Sequence, residues 1–226
     1  MKKSILAALC ALVMVCACLP AMAEEENIQE GGGFRYVLQE DGSAVLLAYI
    51  SEAVSRRAPE AEVRSVVFQN RVDGHAIADI RQNPFYVEES DFTMLCSAGV
   101  MPGHRTLNTV EGVLFVTASH KLSVYPVFLD ADTYIVPEDT LIIGAYAFAC
   151  CEGLQNVVLP EGLTDIETGA FRNCDGLSAV NIPESVTGIA GDAFFGCGKG
   201  LTLTVVAGSY GEQFAQENGI AYTLAE

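Results

Sequence analysis

Two adjacent cysteines, Cys150 and Cys151, stand in the stretch AYAFACCEGL at residues 145–154. Vicinal thiols can form a strained disulfide, supply two soft metal ligands or act as a redox switch. A second candidate is Ser209 in VVAGSYGEQF, which has the strand, tight turn and helix of a nucleophile elbow, with Ala207 in the first glycine's place. His75, His104 and His120 could act as bases or ligands. Glu138, Glu161 and Glu184 recur at one spacing, and Asp130 and Asp132 lie in LDADTY, so carboxylates could gather around a divalent cation.

Most of these residues have a simpler role in the chain. A nucleophile-elbow hydrolase orders its triad serine, acid, histidine, whereas all three histidines here precede Ser209. Ser209 with Glu212 three residues later reads as a capping box that opens a helix, and Asn218-Gly219 reads as its stop. His104 and His120 sit in loop-like segments with no partner at metal-ligand spacing. The aspartates of LDADTY lack the spacing of a calcium loop, and one glutamate per repeat supplies too few oxygens for a dedicated calcium site. No phosphate-binding glycine loop, zinc motif or pair of catalytic acids is present. The sequence thus predicts no catalytic, cofactor or metal site; a hydrolase would need a histidine or paired carboxylates to converge through the fold.

The elements that position the cysteines emerge from a step of 23 residues. Cys151, Cys174 and Cys197 fall at that interval, as do Phe148, Phe171 and Phe194, with Ala147, Ala170 and Ala193 before them. Ile143, Ile166 and Ile189 recur likewise, and so do Pro137, Pro160 and Pro183, each followed by a glutamate. Tyr134, Val157, Val180 and Leu203 form one apolar ladder, with Val136, Leu159, Ile182 and Val205 two residues on. A spacing of two puts both ladders on one face of a short strand. In the first three copies proline, which cannot donate to a ladder, closes that strand. A unit this short cannot bury its own apolar face, so successive units must share one core and add their strands in parallel, about 4.8 Å apart.

In that arrangement one cysteine per coil forms a line rather than a tetrahedral site, and acts as a small buried residue beside alanine and phenylalanine. Cys150 lies one residue off the column, where the other copies carry Asn173 and Gly196, residues suited to a turn or a surface.

The stretch LPEGLTDIETGAFRNCDGLSAVNIPESVTGIAGDAFFGC resembles the BspA-like leucine-rich repeat family of bacterial surface and secreted proteins. Its unit runs from leucine through a strand ending in isoleucine-proline, then VTxI, then AFxxCxxL. Gly200 departs from this pattern where Leu154 and Leu177 stand in earlier copies, as do Glu167 and Ala190 where the family favours glycine. More loosely, EGVLFVTASHKLSVYP resembles the family's hairpin-like first coil. VDGHAIADIRQNPF resembles a degenerate repeat with Phe85 at the AF position, its DGHAI loop making His75 structural or solvent-facing. The resemblance implies a β-rich leucine-rich-repeat solenoid (α/β by convention), with a non-catalytic role in protein–protein or host-surface interaction.

FRYVLQEDGSAVLLAYI reads independently as a hairpin that caps the N-terminal end, and the helix after Ser209 with IAYTL as a closing strand caps the other. Met1-Lys2-Lys3, an apolar run too short and badly flanked to span a membrane, and AMA before Glu24 predict an export signal cleaved after Ala23. VCAC at residues 15–18 leaves open a lipid anchor on Cys18 instead, which would make the protein a cell-surface scaffold module. The expected division is signal (1–23), flexible acidic and glycine-containing linker (24–33), N-terminal cap with degenerate repeats (34–110), leucine-rich repeats (111–205) and C-terminal cap (206–226).

Removal of the signal leaves Cys96, Cys150, Cys151, Cys174 and Cys197, an odd number that argues against a fully paired disulfide framework. The net charge of −17 disfavours nucleic acid and anionic membranes as partners. The candidate partner-binding face is the outward side of the strands. Thr133, Asn156, Ala179 and Thr202 form one column there, and Ile135, Val158, Asn181 and Thr204 the next. Its partner would be a protein or a surface glycan.

Overall fold

The computed structural model describes residues 27–31, 33–49, 66–87, 92–93, 98–127, 129 and 131–225. The export signal, Cys18, Cys96 and Asp130 lie outside the described residues.

The N-terminal part is built largely from hairpins. β1 (Gln29–Gly31), β2 (Phe34–Leu38) and β3 (Ala44–Tyr49) are antiparallel neighbours, and Gly42 takes a positive φ of 78° in the turn that joins β2 to β3. Residues 29–31 were expected to be linker. They form an edge strand instead because their main chain completes the outer ladder of β2, and the missing Cβ at Gly31 lets the Asp73 carboxylate lie against the strand. β4 (Val66–Phe68) pairs in parallel with β9 (Ala98–Val100). β5 (Arg71–Val72) and β6 (His75–Ile80) form a second hairpin, and β6 joins β3 in parallel. β7 (Tyr86–Val87) and β8 (Phe92–Thr93) make a short third one.

β10 (Leu107–Val110), β11 (Val113–Val116) and β12 (Lys121–Val124) then form an antiparallel meander, whose last strand pairs in parallel with the first regular coil. All four residues of β12 are buried, as befits a strand covered on both faces. Val113 and Leu122 join the core of the repeats, whereas Leu114, Val116 and Val124 join an N-terminal core with Phe34, Tyr36, Phe68 and Phe85. The meander is therefore a partition between two cores.

Each regular coil contributes one strand to each of two parallel sheets. The first sheet runs β13 (Thr133–Ile135), β15 (Asn156–Val158), β17 (Ala179–Ile182), β19 (Thr202–Val205) and β20 (Ala221–Leu224). The second continues from the meander through β14 (Ile142–Ile143), β16 (Asp165–Ile166) and β18 (Gly188–Ile189). Every registered pair of regular coils is offset by 23 residues, as in Thr133↔Asn156↔Ala179↔Thr202. Both apolar ladders point inward and are buried. The result is a leucine-rich-repeat solenoid closed at its far end by α1 (Tyr210–Asn218) and β20.

The cap of α1 follows its sequence closely. Ser209 accepts from the Glu212 N–H at 3.3 Å, while the Glu212 carboxylate reaches back to the Gly208 N–H at 2.7 Å. At the other end Gly219, with φ 66°, turns the chain and lets Ile220 N–H donate to Ala215 O at 2.9 Å. Phe214 and Ala215 then seal the repeat core.

Candidate binding face

The first sheet turns its outward residues to solvent in two columns. Ile135 is 68% exposed and pairs in register with Val158, 43% exposed, so the end nearest β13 presents an apolar step. The neighbouring column is polar at that same end, where Asn156 Nδ2 donates to Thr133 Oγ1 at 3.3 Å, and at the far end the Thr204 and Thr223 hydroxyls meet at 3.5 Å. Ala179 and Thr202 are half-buried between them.

Asn181 has a different role from its neighbours. Its Oδ1 accepts from Leu159 N–H at 2.7 Å and its Nδ2 donates to Leu159 O at 2.9 Å, so its amide substitutes for a ladder step between β15 and β17. Column position alone could not distinguish this from an outward-reaching side chain. The face also extends one strand further than the repeat interval shows: Ala221 and Thr223 register with Thr202 and Thr204 at a step of 19, because the cap replaces a regular corner.

Beneath the face the phenylalanines form a ladder. Ring centroids lie 4.9 Å apart for Phe148–Phe171 and 5.0 Å for Phe171–Phe194, with planes 14° and 4° from parallel. The ladder starts one rung earlier than the AF motif. Tyr125, 23 residues before Phe148, stacks on it at 4.9 Å, and Phe214 closes the other end at 6.1 Å from Phe194. Burial pushes the Tyr125 phenol up to about 12, and its buried hydroxyl has no hydrogen-bond partner among the described residues. Phe85 lies instead in the N-terminal core, 6.1 Å from Phe68 and 5.2 Å from Tyr49.

Cys151 and Cys174 are buried, Cys197 is partly so, and all three are thiols. The column also makes hydrogen bonds. Cys174 Sγ donates to Phe148 O at 2.9 Å and Cys197 Sγ to Phe171 O at 3.0 Å, each stitching a corner to the coil before it. Burial, then contact with Cys151, holds the Cys174 thiol well above its ordinary value; contact with Cys174, then burial, does the same for Cys197. Such thiols stay protonated and unreactive. Cys150 is half-buried beside Tyr86, Tyr146 and Ala149 and adopts a left-handed φ of 63°. Its counterparts Asn173 and Gly196 share that conformation, at 55° and 76°.

The BspA type leucine rich repeat region family matches residues 130–208, in six copies. That stretch of the chain is a BspA-type leucine-rich repeat region. Among solved structures, a leucine-rich repeat protein from Eubacterium ventriosum ATCC 27560 shares the fold, with TM-score 0.55 and 22% identity over 64% of this chain and 37% of that one. The pneumococcal vaccine antigen PcpA matches with TM-score 0.41 and 14% identity over 72% of this chain and 56% of that one. A leucine rich cell surface protein from Faecalibacterium prausnitzii A2-165 matches with TM-score 0.38 and 14% identity over 90% and 96% of the two chains. The chain thus spans little more than a third of the first of these and about half of the second. No curated protein matches the chain.

The remaining chemistry-bearing residues are dispersed around the repeat region. Ser209 caps α1 with extended backbone angles (φ −76°, ψ 167°). His75 Nδ1 lies 2.9 Å from Gly42 O. His104 Nδ1 accepts from Thr106 and Leu107 N–H at 3.3 and 3.1 Å, which places its proton on Nε2, 3.0 Å from Gln69 O. Both histidines staple loops. His120 turns the β11–β12 hairpin at φ 50°. Glu138, Glu161 and Glu184 are exposed at the turns. Among the described residues no three His, Cys, Asp or Glu side chains gather as a metal would require, and no helix is long and apolar enough to cross a membrane.

Proposed function

We propose that this is an exported, non-catalytic repeat protein that holds a protein or surface-glycan partner on the outward face of its parallel strands. The observation that carries this reading is the exposed, registered pair Ile135 and Val158 on an otherwise uncharged face. An apolar step on a flat sheet supplies a desolvated centre for a contact, and the threonines and Asn156 around it supply a polar rim. Continuity from coil to coil gives an extended surface of the kind on which solenoids bind.

Ile135→Arg and Val158→Arg, both at exposed positions, should leave the fold intact and remove the partners that the wild-type protein captures from its natural surroundings. An unchanged partner set sinks the reading. Asn181 is unsuitable for this test, because its amide holds the β15–β17 ladder.

Export by a signal cleaved after Ala23 is the form proposed here; VCAC at residues 15–18 supports the lipid-anchored alternative. The intact mass of the mature N-terminus separates them, since a diacylated Cys18 excludes free secretion.

A further inference from the structure

The strand face ends on an open edge. β20 is the last strand of the first sheet, and among the described residues nothing pairs with its other side. It runs parallel to β19 without a bulge, and Ala225 N–H donates to Val205 O at 2.8 Å. Main-chain groups alternate along a strand, so Ala221 and Thr223 also turn theirs toward β19, while Tyr222 and Leu224 turn their N–H and C=O groups off the sheet. Such an edge is a template for another strand, and folded chains usually guard it with charge, proline or a bulge. β1, an edge of the N-terminal sheet, carries Glu30 in an ion pair with Arg35. β20 reads Ala-Tyr-Thr-Leu and has none of these guards, in a chain of net charge −17. Leu224, on its inward side, is 51% exposed, whereas Val205 beside it is fully buried.

We propose that β20 pairs antiparallel with β20 of a second copy about a two-fold axis, forming a symmetric dimer. An edge strand is complementary to its own copy, because half a turn presents the same groups in the opposite direction. The register follows from the faces. Side chains directly opposite one another lie on the same side of a sheet, so inward residues must meet inward ones. Centring the axis on Thr223 sets Tyr222 opposite Leu224 of the second copy, each exchanging N–H···O bonds with the other, and Thr223 opposite its own equivalent. Centring it on Tyr222 would instead face Leu224 with Ile220, whose N–H is already committed to Ala215 O. The first register also lays an aromatic ring against the exposed Leu224. This pairing is independent of what the strand face binds; it carries the outward columns across the axis and puts two Ile135–Val158 steps on one sheet. A strand of four residues buries little, and two such acidic chains repel, so the dimer is weak and strengthens as salt screens the charge.

Sedimentation equilibrium of the full chain, up to about 1 mM, should show a monomer–dimer equilibrium that tightens about three- to tenfold between low salt and about 0.5 M salt. Amide exchange at Tyr222 and Leu224 should slow as protein concentration rises, while that at Phe171 holds. Thr223→Cys should link two chains by a disulfide several times faster than Ala221→Cys, because only position 223 faces itself, at about the 4.5 Å that a disulfide spans. Thr223→Glu sets two carboxylates face to face and should weaken the dimer about tenfold. Leu224→Pro removes an N–H turned off the sheet, so it should do the same while leaving the pairing with β19 intact. A chain that stays monomeric under all these conditions, a dimer that both variants form as readily as wild type, equal cross-linking at positions 221 and 223, or growth beyond the dimer would overturn the proposal.

Discussion

The two cores of this molecule solve one problem in opposite ways. In the repeats a single solution is copied at every coil: aromatic rings lie nearly parallel at 4.9 to 5.0 Å, close to the strand spacing itself. In the N-terminal core every contact is individual. Phe34 stacks on Phe68 at 5.5 Å, Phe68 meets Phe85 edge-on, and Tyr49 tilts against Phe85. The repeats depend on translation, whereas the N-terminal core depends on particular shapes fitting once. They join through a few specific contacts. Asn83 Nδ2 donates to Tyr146 O at 3.0 Å, the Tyr86 and Tyr146 rings stack at 4.1 Å, and buried Lys121 reaches Ile80 O at 2.7 Å and Asp79 at 3.1 Å.

The most severe test of this contrast removes one aromatic from each core. Phe171 is fully buried between two parallel rings and Phe85 is 1% exposed among tilted ones, so each change to alanine should cost about 3–5 kcal/mol. The outcomes should differ in reach. In Phe171→Ala, loss of the shared ladder should lower hydrogen-exchange protection in the coils on both sides, because neighbouring repeats stabilise one another. In Phe85→Ala, the loss should stay within β2–β6. Uniform loss of protection in both variants would show one cooperative core and dissolve the distinction.

A gentler change bears on the corner alone. The left-handed conformation shared by Cys150, Asn173 and Gly196 suits glycine and asparagine and strains cysteine. Cys150→Gly should therefore stabilise the first coil by about 0.5–1 kcal/mol, less whatever contact with the Tyr86–Tyr146 pair is lost. Thermal melts measure this directly; a destabilised variant would mean that Cys150 contributes more by packing than it costs in backbone strain.

Much of this was legible in the sequence because repetition converts geometry into identity. Cys151, Cys174 and Cys197 fall in one column for the same physical reason each time, so the strands, the inward ladders and the corner could be read from the interval. What could not be read breaks the interval. Tyr125 is the first rung of the ladder but carries a hydroxyl and precedes an irregular loop. Ala221 and Thr223 extend the outer face at a step of 19. Asn181 looks like any outward residue until its bonds to Leu159 are seen. Phe85 resembles an AF phenylalanine and packs elsewhere, since its neighbours are hairpin strands that carry no period.

The smallest expected effect separates the two cores by pH. All three histidines precede the first regular strand, β13, so the regular coils carry none. Burial holds the His104 imidazole below its ordinary value, and Nδ1 is already occupied as an acceptor for Thr106 and Leu107. Protonation would sever both bonds. Because the folded state binds this proton less readily than the unfolded chain, the contribution of His104 is complete above about pH 6.5 and declines as pH falls below it. Between pH 7 and 5, referenced to the intrinsic exchange rates, protection at Thr106 and Leu107 should fall while that at Phe148 and Phe171, in the repeat corners, holds. His104→Gln should abolish the pH dependence at the first pair. A parallel decline at Phe148 and Phe171 would instead mean that the partition strands β10–β12 transmit the loss, and that the two cores melt as one.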